Sequence, residues 1–279
     1  MNVLLLNPGQ MGEQVGLAAR HSASAVYWSS EGRGAATAAR ATRAGLTDAG
    51  NLSDALGKAD LVLSVVPPHA AQATAKQVAG HGFSGIYVDL NAVSPGTGKR
   101  VHDLVCAAGA TYVDGGIIGP PPKARGEARM YLAGPDANAV AAVFADGIMD
   151  ARVLDEVAGS TAASALKMAY AGWTKASSAL LLAVRAMARV NGVEAALLDE
   201  WDISISGQRA RSDNVARANA FKAWRFVGEM QEISATMAAA GLPAGFHAGA
   251  AELYQALEGY KDQMQLDPAS VYKTLAGES

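Results

Sequence analysis

The sequence predicts a doubly wound α/β domain with a mainly parallel sheet, followed by an all-α domain. Three observations lead there. Short, continuously apolar runs alternate with alanine-rich stretches of helix length through the first half of the chain. A glycine loop stands where the first run gives way to the first helix. Beyond Gly159 the pattern turns helical, with no β alternation.

The first run, Val3 to Leu6, ends in Asn7-Pro8-Gly9, and a helical pattern starts near Met11. A strand that is apolar on both faces is one covered on both faces, as in parallel sheets. Similar runs recur at 25–28, 61–66, 86–89 and 111–114, while 129–132 and 151–154 supply the last strands at the sheet edge. Ligands of such sheets bind at the carboxyl ends of the strands.

From Ser160 to Val190 the chain reads as one long helix, with Ser or Thr to cap its start and Asn191-Gly192 to stop it. At 1.5 Å per residue such a helix spans roughly 45 Å. Leu166, Trp173, Leu180, Leu181, Val184 and Met187 cover more than one of its faces, which favours burial between subunits or domains. Weaker helical stretches follow at 194–201, 216–237 and 244–257. The expected division is a nucleotide-binding domain over 1–157 and a helical substrate and dimerisation domain over 158–279.

Composition limits the function classes. The 279 residues are 50% hydrophobic and 18% charged, enough for a substantial core. A formal charge of −3 lacks the positive field of a nucleic-acid binder. The single cysteine, Cys106, forms no intrachain disulfide and suits a reducing cytosol. No run of 18 apolar residues suggests a membrane span, so a cytoplasmic protein with neither membrane nor nucleic-acid partner is expected. The histidines, His21, His69, His81, His102 and His247, show no ligand spacing, and no metal site is expected. Lys123, Arg125 and Arg129 form a basic group after a proline run, which reads as solvated charge, with contact to an anionic substrate as the alternative.

Asn7-Pro8-Gly9-Gln10-Met11-Gly12 occupies the place of a G-x-G-x-x-G loop, with Asn7 at the first glycine position. Gly9 lets backbone approach a pyrophosphate, Gly12 lets the helix sit close to the strand, and the helix start supplies N–H donors and partial positive charge. Asparagine tolerates the unusual dihedrals of a tight turn. After the second run, where an acidic residue holds the ribose diol of NAD, the chain reads Trp28-Ser29-Ser30-Glu31-Gly32-Arg33. Ser29, Ser30 and the Arg33 guanidinium suit a ribose 2′-phosphate, which favours NADP over NAD. A small rotation of the loop would instead bring Glu31 to a diol.

With Met11-Gly12 in the glycine loop, the Val66-Pro67 step, the segment Asp89-Leu90-Asn91-Ala92-Val93-Ser94-Pro95, and Gly159 followed by Lys167 on a long helix, the chain resembles the β-hydroxyacid dehydrogenases. That superfamily includes 3-hydroxyisobutyrate dehydrogenase, 6-phosphogluconate dehydrogenase and the imine reductases. Trp224 to Met230, with Gly241-Leu242-Pro243 and Phe246-His247, looks most like an uncharacterised bacterial branch with a phosphogluconate-dehydrogenase-like C-terminal domain. The resemblance implies a Rossmann domain, a helical second domain, a homodimer and a cleft between the domains. It also implies that Lys167 exchanges a proton with the substrate oxygen while hydride moves to or from the nicotinamide. Val66, Pro67 and Asn91 then belong to the nicotinamide side.

The chain departs from the family where substrate is held. The usual Asp-Ala-Pro-Val-Ser-Gly-Gly here reads Asp114-Gly115-Gly116-Ile117-Ile118-Gly119-Pro120, so Ile118 replaces the serine that holds a carboxylate. An apolar side chain cannot donate to an anion, and proline lacks an N–H. The asparagine four residues after the lysine is replaced by Ala171, with Tyr170 and Thr174 on about the same helix face as Lys167, either as substitute polar contacts or as packing. Ile118, Gly119, Thr174, Glu229 and His247 are the substrate-lining candidates, with Lys167 and Tyr170 catalytic. Three readings stay open: a 3-hydroxy acid or carbonyl oxidoreductase, an imine reductase-like enzyme on a less polar C=N substrate, and a non-catalytic NADP-binding sensor or structural protein.

Overall fold

The computed structural model describes residues 1–278. Contacts divide the chain into two compact units, Met1–Met168 and the remainder from Ala169.

The first unit is built on an eight-stranded sheet: β1 (Asn2–Leu5), β2 (Ala25–Trp28), β3 (Thr47–Asp48), β4 (Leu61–Ser64), β5 (Ile86–Asp89), β6 (Thr111–Ile118), β7 (Arg129–Ala133) and β8 (Asp150–Asp155). The strand order is β3-β2-β1-β4-β5-β6-β7-β8. β1 to β6 run parallel, β7 runs antiparallel to β6, and β8 runs parallel to β7. The edge pair anticipated from sequence is therefore present. Helices α1 (Gln10–Ala19), α2 (Ala35–Arg43), α3 (Leu52–Leu56), α4 (Ala71–Gly80), α5 (Pro95–Ala107) and α6 (Ala137–Ala142) fill the connections.

Side chains of successive strand residues point to opposite faces, so each strand feeds two cores. Val3, Leu5, Leu61, Leu63, Val88 and Val113 pack with α1, α2 and α6 residues such as Val15, Ala41 and Val140. Leu4, Leu6, Val62, Tyr87 and Tyr112 pack with Val78, Val101 and Val105 of α4 and α5. Double burial is why the runs read as continuously apolar.

The second unit holds most of α7 (Ala162–Val190), then α8 (Glu194–Ser204), α9 (Gln208–Ala220), α10 (Ala223–Ala239), α11 (Gly245–Gln255) and α12 (Pro268–Leu275). Asn191 returns its side-chain amide to the Met187 carbonyl at 2.8 Å, and Gly192 adopts φ 70°, the left-handed stop expected there. Arg185 is buried and bonded to Glu194, Ser212 and Asp213, with its guanidinium over the Tyr272 ring.

The structure departs from the sequence reading at four elements. β3 is two exposed residues, too short to show alternation. β6 continues four residues past Asp114, through two glycines that masked it. The stretch expected over 216–237 is two helices broken at Phe221-Lys222, and α9 buries only the small residues Ser212, Ala216 and Ala220, so it shows no apolar stripe. α12 was unexpected; Asp267 caps it and Pro268 opens it.

Candidate active site

The strand order reverses between β1 and β4, and a crevice opens beyond the carboxyl ends of the strands at such a switch point. A cavity of about 670 Å³ lies there, lined by Leu6 and Asn7 after β1, Ser29, Glu31 and Arg33 after β2, and Val66 and Pro67 after β4.

The loop from Asn7 to Gly12 turns tightly. Gly9 donates its N–H to the Asn7 carbonyl at 2.8 Å and caps α1 with no side chain returning to the helix start. A Cβ on Gly12 would stand 2.2 Å from the Asn7 carbonyl oxygen, so only glycine fits. A Cβ on Gly9 would come no nearer than 4.0 Å to the Asn7 side chain, so Gly9 faces open space. Backbone N–H groups in a first helical turn have no intrahelical acceptor and favour anions. Gln10 is exposed at this start, while Pro8 is buried and Met11 packs against the core. Contrary to expectation, Asn7 is not at positive φ: Asp262 is the only such non-glycine residue among the described residues, so the turn does not use asparagine's tolerance. Arg40, which the sequence reading missed, donates from Nε to the Pro8 carbonyl at 2.7 Å and from its guanidinium to Thr37.

After β2, the buried Ser29 donates its hydroxyl to the Gly50 carbonyl at 2.9 Å. Ser30 lies beside Asp48, whose carboxyl is held below the usual range by hydrogen bonds from the Gly50 N–H and from Ser30. Arg33 is exposed and reaches back to the Leu6 carbonyl at 3.3 Å, so its charge stands at the end of β1. After β5, Asn91 is 2% exposed. Its side-chain oxygen accepts the Val66 N–H at 2.6 Å and its side-chain amide donates to Ser64 at 3.0 Å. Asn91 thus shapes the Val66-Pro67 step rather than facing the cavity.

β6 grips the start of α7. Asp114 accepts the Ser164 N–H at 2.7 Å and the Ser164 hydroxyl at 2.5 Å. Burial pushes the Asp114 carboxyl up to about 6, against the opposing pull of those hydrogen bonds. A Cβ on Gly116 would stand 2.8 Å from the Ala163 carbonyl oxygen and 3.1 Å from the Lys167 Cβ, so this glycine admits the helix. One turn after Ser164, the half-buried Lys167 donates from Nζ to the Ile117 carbonyl at 2.6 Å. Ile118 is buried at the end of β6. Gly119 follows at φ 124°, where a Cβ would meet the Glu127 carbonyl oxygen at 2.3 Å. Arg125 and Arg129 bond to loop carbonyls and are not simply solvated.

In the helical unit, Tyr170 is 47% exposed and Thr174 donates its hydroxyl to the Tyr170 carbonyl at 3.1 Å. Glu229 forms an ion pair with Lys175, whose ammonium also lies over the Phe226 ring at 4.8 Å. His247 is buried against Gly172, and its Nδ1 meets no hydrogen-bond partner among the described residues. Glu229 is therefore engaged, whereas His247 keeps an unused nitrogen.

Residues 188–257 match DUF1932, a domain of unknown function. An uncharacterised 28.5 kDa protein in the 7S RNA 5′ region of Methanothermus fervidus is 32% identical over 171 residues, 61% of this chain and 64% of that relative, so the chain spans under two thirds of its length. A conserved hypothetical protein from Sinorhizobium meliloti 1021 superposes with a TM-score of 0.70 at 25% identity, over 99% of this chain and 96% of that one. Mycobacterium tuberculosis 3-hydroxyisobutyrate dehydrogenase with L-serine superposes with a TM-score of 0.70 at 16% identity, over 98% of both chains. The chain shares its fold with that 3-hydroxyisobutyrate dehydrogenase. A reductive aminase from Aspergillus terreus, in complex with NADPH4, cyclohexanone and allyl amine, shares it with a TM-score of 0.56 at 19% identity, over 97% of both chains. The glycine loop follows β1, and Lys167 Nζ meets the Ile117 carbonyl near the end of β6, so both lie at the carboxyl side of the parallel strands. No helix among the described residues is long and apolar enough to cross a membrane.

Proposed function

We propose that this chain is an NADPH-dependent oxidoreductase acting on a small hydroxy acid or its carbonyl counterpart, with Lys167 as general acid and base. The observation that carries the reading is Lys167 itself, an amine hung on the Ile117 carbonyl at the carboxyl end of β6, in the sheet whose β1 leads into an uncapped glycine loop. The loop fits a dinucleotide: Gly12 is forced by contact, Gly9 leaves its approach open, and the neighbouring cavity of about 670 Å³ holds one end of such a molecule. Asn7, Pro8, Gly9, Gln10, Met11 and Gly12 would hold the pyrophosphate. Arg33 would hold the 2′-phosphate by a charge-assisted fork, and Ser29 and Ser30 would join it by turning their hydroxyls from Gly50 and Asp48. Val66 and Pro67, braced by Asn91, would wall the nicotinamide side. The bound cofactor supplies or takes up the hydride.

Lys167 Nζ takes the hydroxyl proton in oxidation and returns one in reduction, while the surrounding chain orients substrate and excludes water. Ile118 and Gly119 would line the substrate, and the helical domain, proposed over 158–279 after a cofactor domain of 1–157, carries the further candidates Tyr170, Thr174 and His247. Glu229 would act through its ion pair with Lys175. A second reading, a C=N substrate, is favoured by the buried Ile118 and by Pro120, Pro121 and Pro122, which offer no N–H to a carboxylate.

The working form is read as a cytoplasmic homodimer. Ala169, Trp173, Ala176, Leu180, Ala183, Met187 and Val190 repeat at alternating spacings of four and three along α7. Trp173 is 74% exposed, Leu180 62% and Met187 60%. That spacing is the seam of helix-on-helix packing.

The test is a steady-state assay of 3-hydroxy acid and cyclic imine panels with NADPH and NADH, in the natural chain and Lys167→Ala. Turnover of a hydroxy acid that Lys167→Ala abolishes while NADPH still binds supports the reading. Turnover of imines alone selects the second reading. Cofactor binding with no turnover on any panel member, unchanged by Lys167→Ala, would leave a sensor.

A further inference from the structure

We infer that Asp114 is a positioning residue: by capping the start of α7 through Ser164, its carboxylate sets where the Lys167 amine stands. The inference rests on the reading of Lys167 as the proton-transferring group.

The geometry is a two-point grip by one strand on one helical turn. Asp114 accepts both the N–H and the hydroxyl of Ser164, and three residues along β6 the Ile117 carbonyl accepts Lys167 Nζ at 2.6 Å. Between the two points Gly116 has no side chain, which brings Ala163 and Lys167 against the strand. The first turn of α7 contains no acidic residue of its own. A carboxylate facing the N–H groups of a helix start is stabilising, and here it comes from the neighbouring strand.

The other groups around the carboxyl support the same role. Tyr112 donates its hydroxyl to Asp114 at 3.4 Å. Gly98 of α5 has no side chain, and a Cβ there would stand 3.5 Å from the Ser164 hydroxyl and 3.6 Å from Asp114. Tyr87 and Asp89 of β5 face Tyr112, and the His102 ring of α5 meets Tyr112 edge-on at 5.5 Å. Asp114 itself is fully buried, and its hydrogen bonds run to Ser164 at the start of the helix and to Tyr112.

The test uses the full chain with lysines reductively methylated with ¹³C, read by NMR across a pH titration, with Lys167→Arg assigning the signal. In Asp114→Asn, which places an amide opposite donors of Ser164, the Lys167 signal moves and its midpoint shifts. Ser164→Ala gives a smaller change in the same direction, and serves alone if the first variant does not fold. With a substrate found in the panels, kcat falls roughly 10- to 100-fold, the cost of a misplaced catalytic group, while KM for NADPH stays within a factor of about two, since the glycine loop is untouched. An unchanged Lys167 signal and midpoint in folded Asp114→Asn overturns the inference. The two readings fail separately, because retained turnover in Lys167→Ala would remove the catalytic role and leave the NMR shift standing.

Discussion

Arg40 donates from Nε to the carbonyl oxygen of Pro8 across 2.7 Å, tying α2 to the middle of the glycine loop. A guanidinium on a half-buried carbonyl is a charge-assisted bond of about 1.5–3 kcal/mol. Arg40→Ala is therefore expected to weaken NADPH binding roughly 10-fold while the fold persists. Fluorescence titration of the cofactor together with a thermal melt checks both halves.

Gly9 and Gly12 should respond differently to the same added methyl group. Gly12→Ala drives a Cβ into the Asn7 carbonyl oxygen at 2.2 Å, so the loop must shift, and both stability and cofactor affinity fall. Gly9→Ala meets open space at an ordinary φ of −71°, so the melting temperature holds while the Cβ blocks phosphate approach and the Kd rises. Equal loss of stability in the two variants would contradict this account of the loop.

Asp114 makes stability depend on pH with a definite sign. Its carboxyl lies at about 6 in the fold, above its ordinary 3.8, so the folded chain binds the proton more tightly than the unfolded one. That contribution is fully present below 3.8 and is lost as pH rises through 6, a swing of about 3 kcal/mol. Urea unfolding of the natural chain and of Asp114→Asn from pH 7.5 to 4.5 should show the natural chain gaining relative to the variant as pH falls.

Arg185 is 8% exposed and balances Glu194 and Asp213. Arg185→Met leaves two carboxylates facing a thioether, and a loss of about 3–5 kcal/mol is expected from breaking a buried pair on one side. Chemical denaturation followed by circular dichroism measures it.

The α7 seam predicts a dimer that charge can split. Trp173→Glu combined with Leu180→Glu replaces exposed apolar side chains within one stripe, leaving the monomer fold intact. Sedimentation velocity should show the natural chain as a dimer and the double variant as a monomer.

The legible parts of this chain were those whose cause is local. The runs around Leu4, Val62 and Val88 are apolar on both faces because both faces are covered, and a parallel sheet follows from that alone. Gly12 was legible because its contact is with Asn7, five residues away. Arg40 was not, because its partner Pro8 is 32 residues off and nothing in an alanine-rich helix marks one arginine from the next. The motif marked the position of Asn91, but its bonds to Val66 and Ser64 were not legible, because they arise only when β4 and β5 pair. Likewise the α9–α10 break at Phe221-Lys222 carries neither glycine nor proline to announce it.

The reversed direction of β7 has a practical side. Since it runs against β6, its carboxyl end at Ala133 and the α6 segment that follows emerge at the opposite rim of the sheet from the glycine loop, and Asp146 beyond α6 accepts a hydrogen bond from Ser22, just past the far end of α1. Asn138, exposed on α6, is accordingly a handle: a dye, spin label or surface tether attached there would hold the sheet by that rim and leave the glycine loop free to be watched.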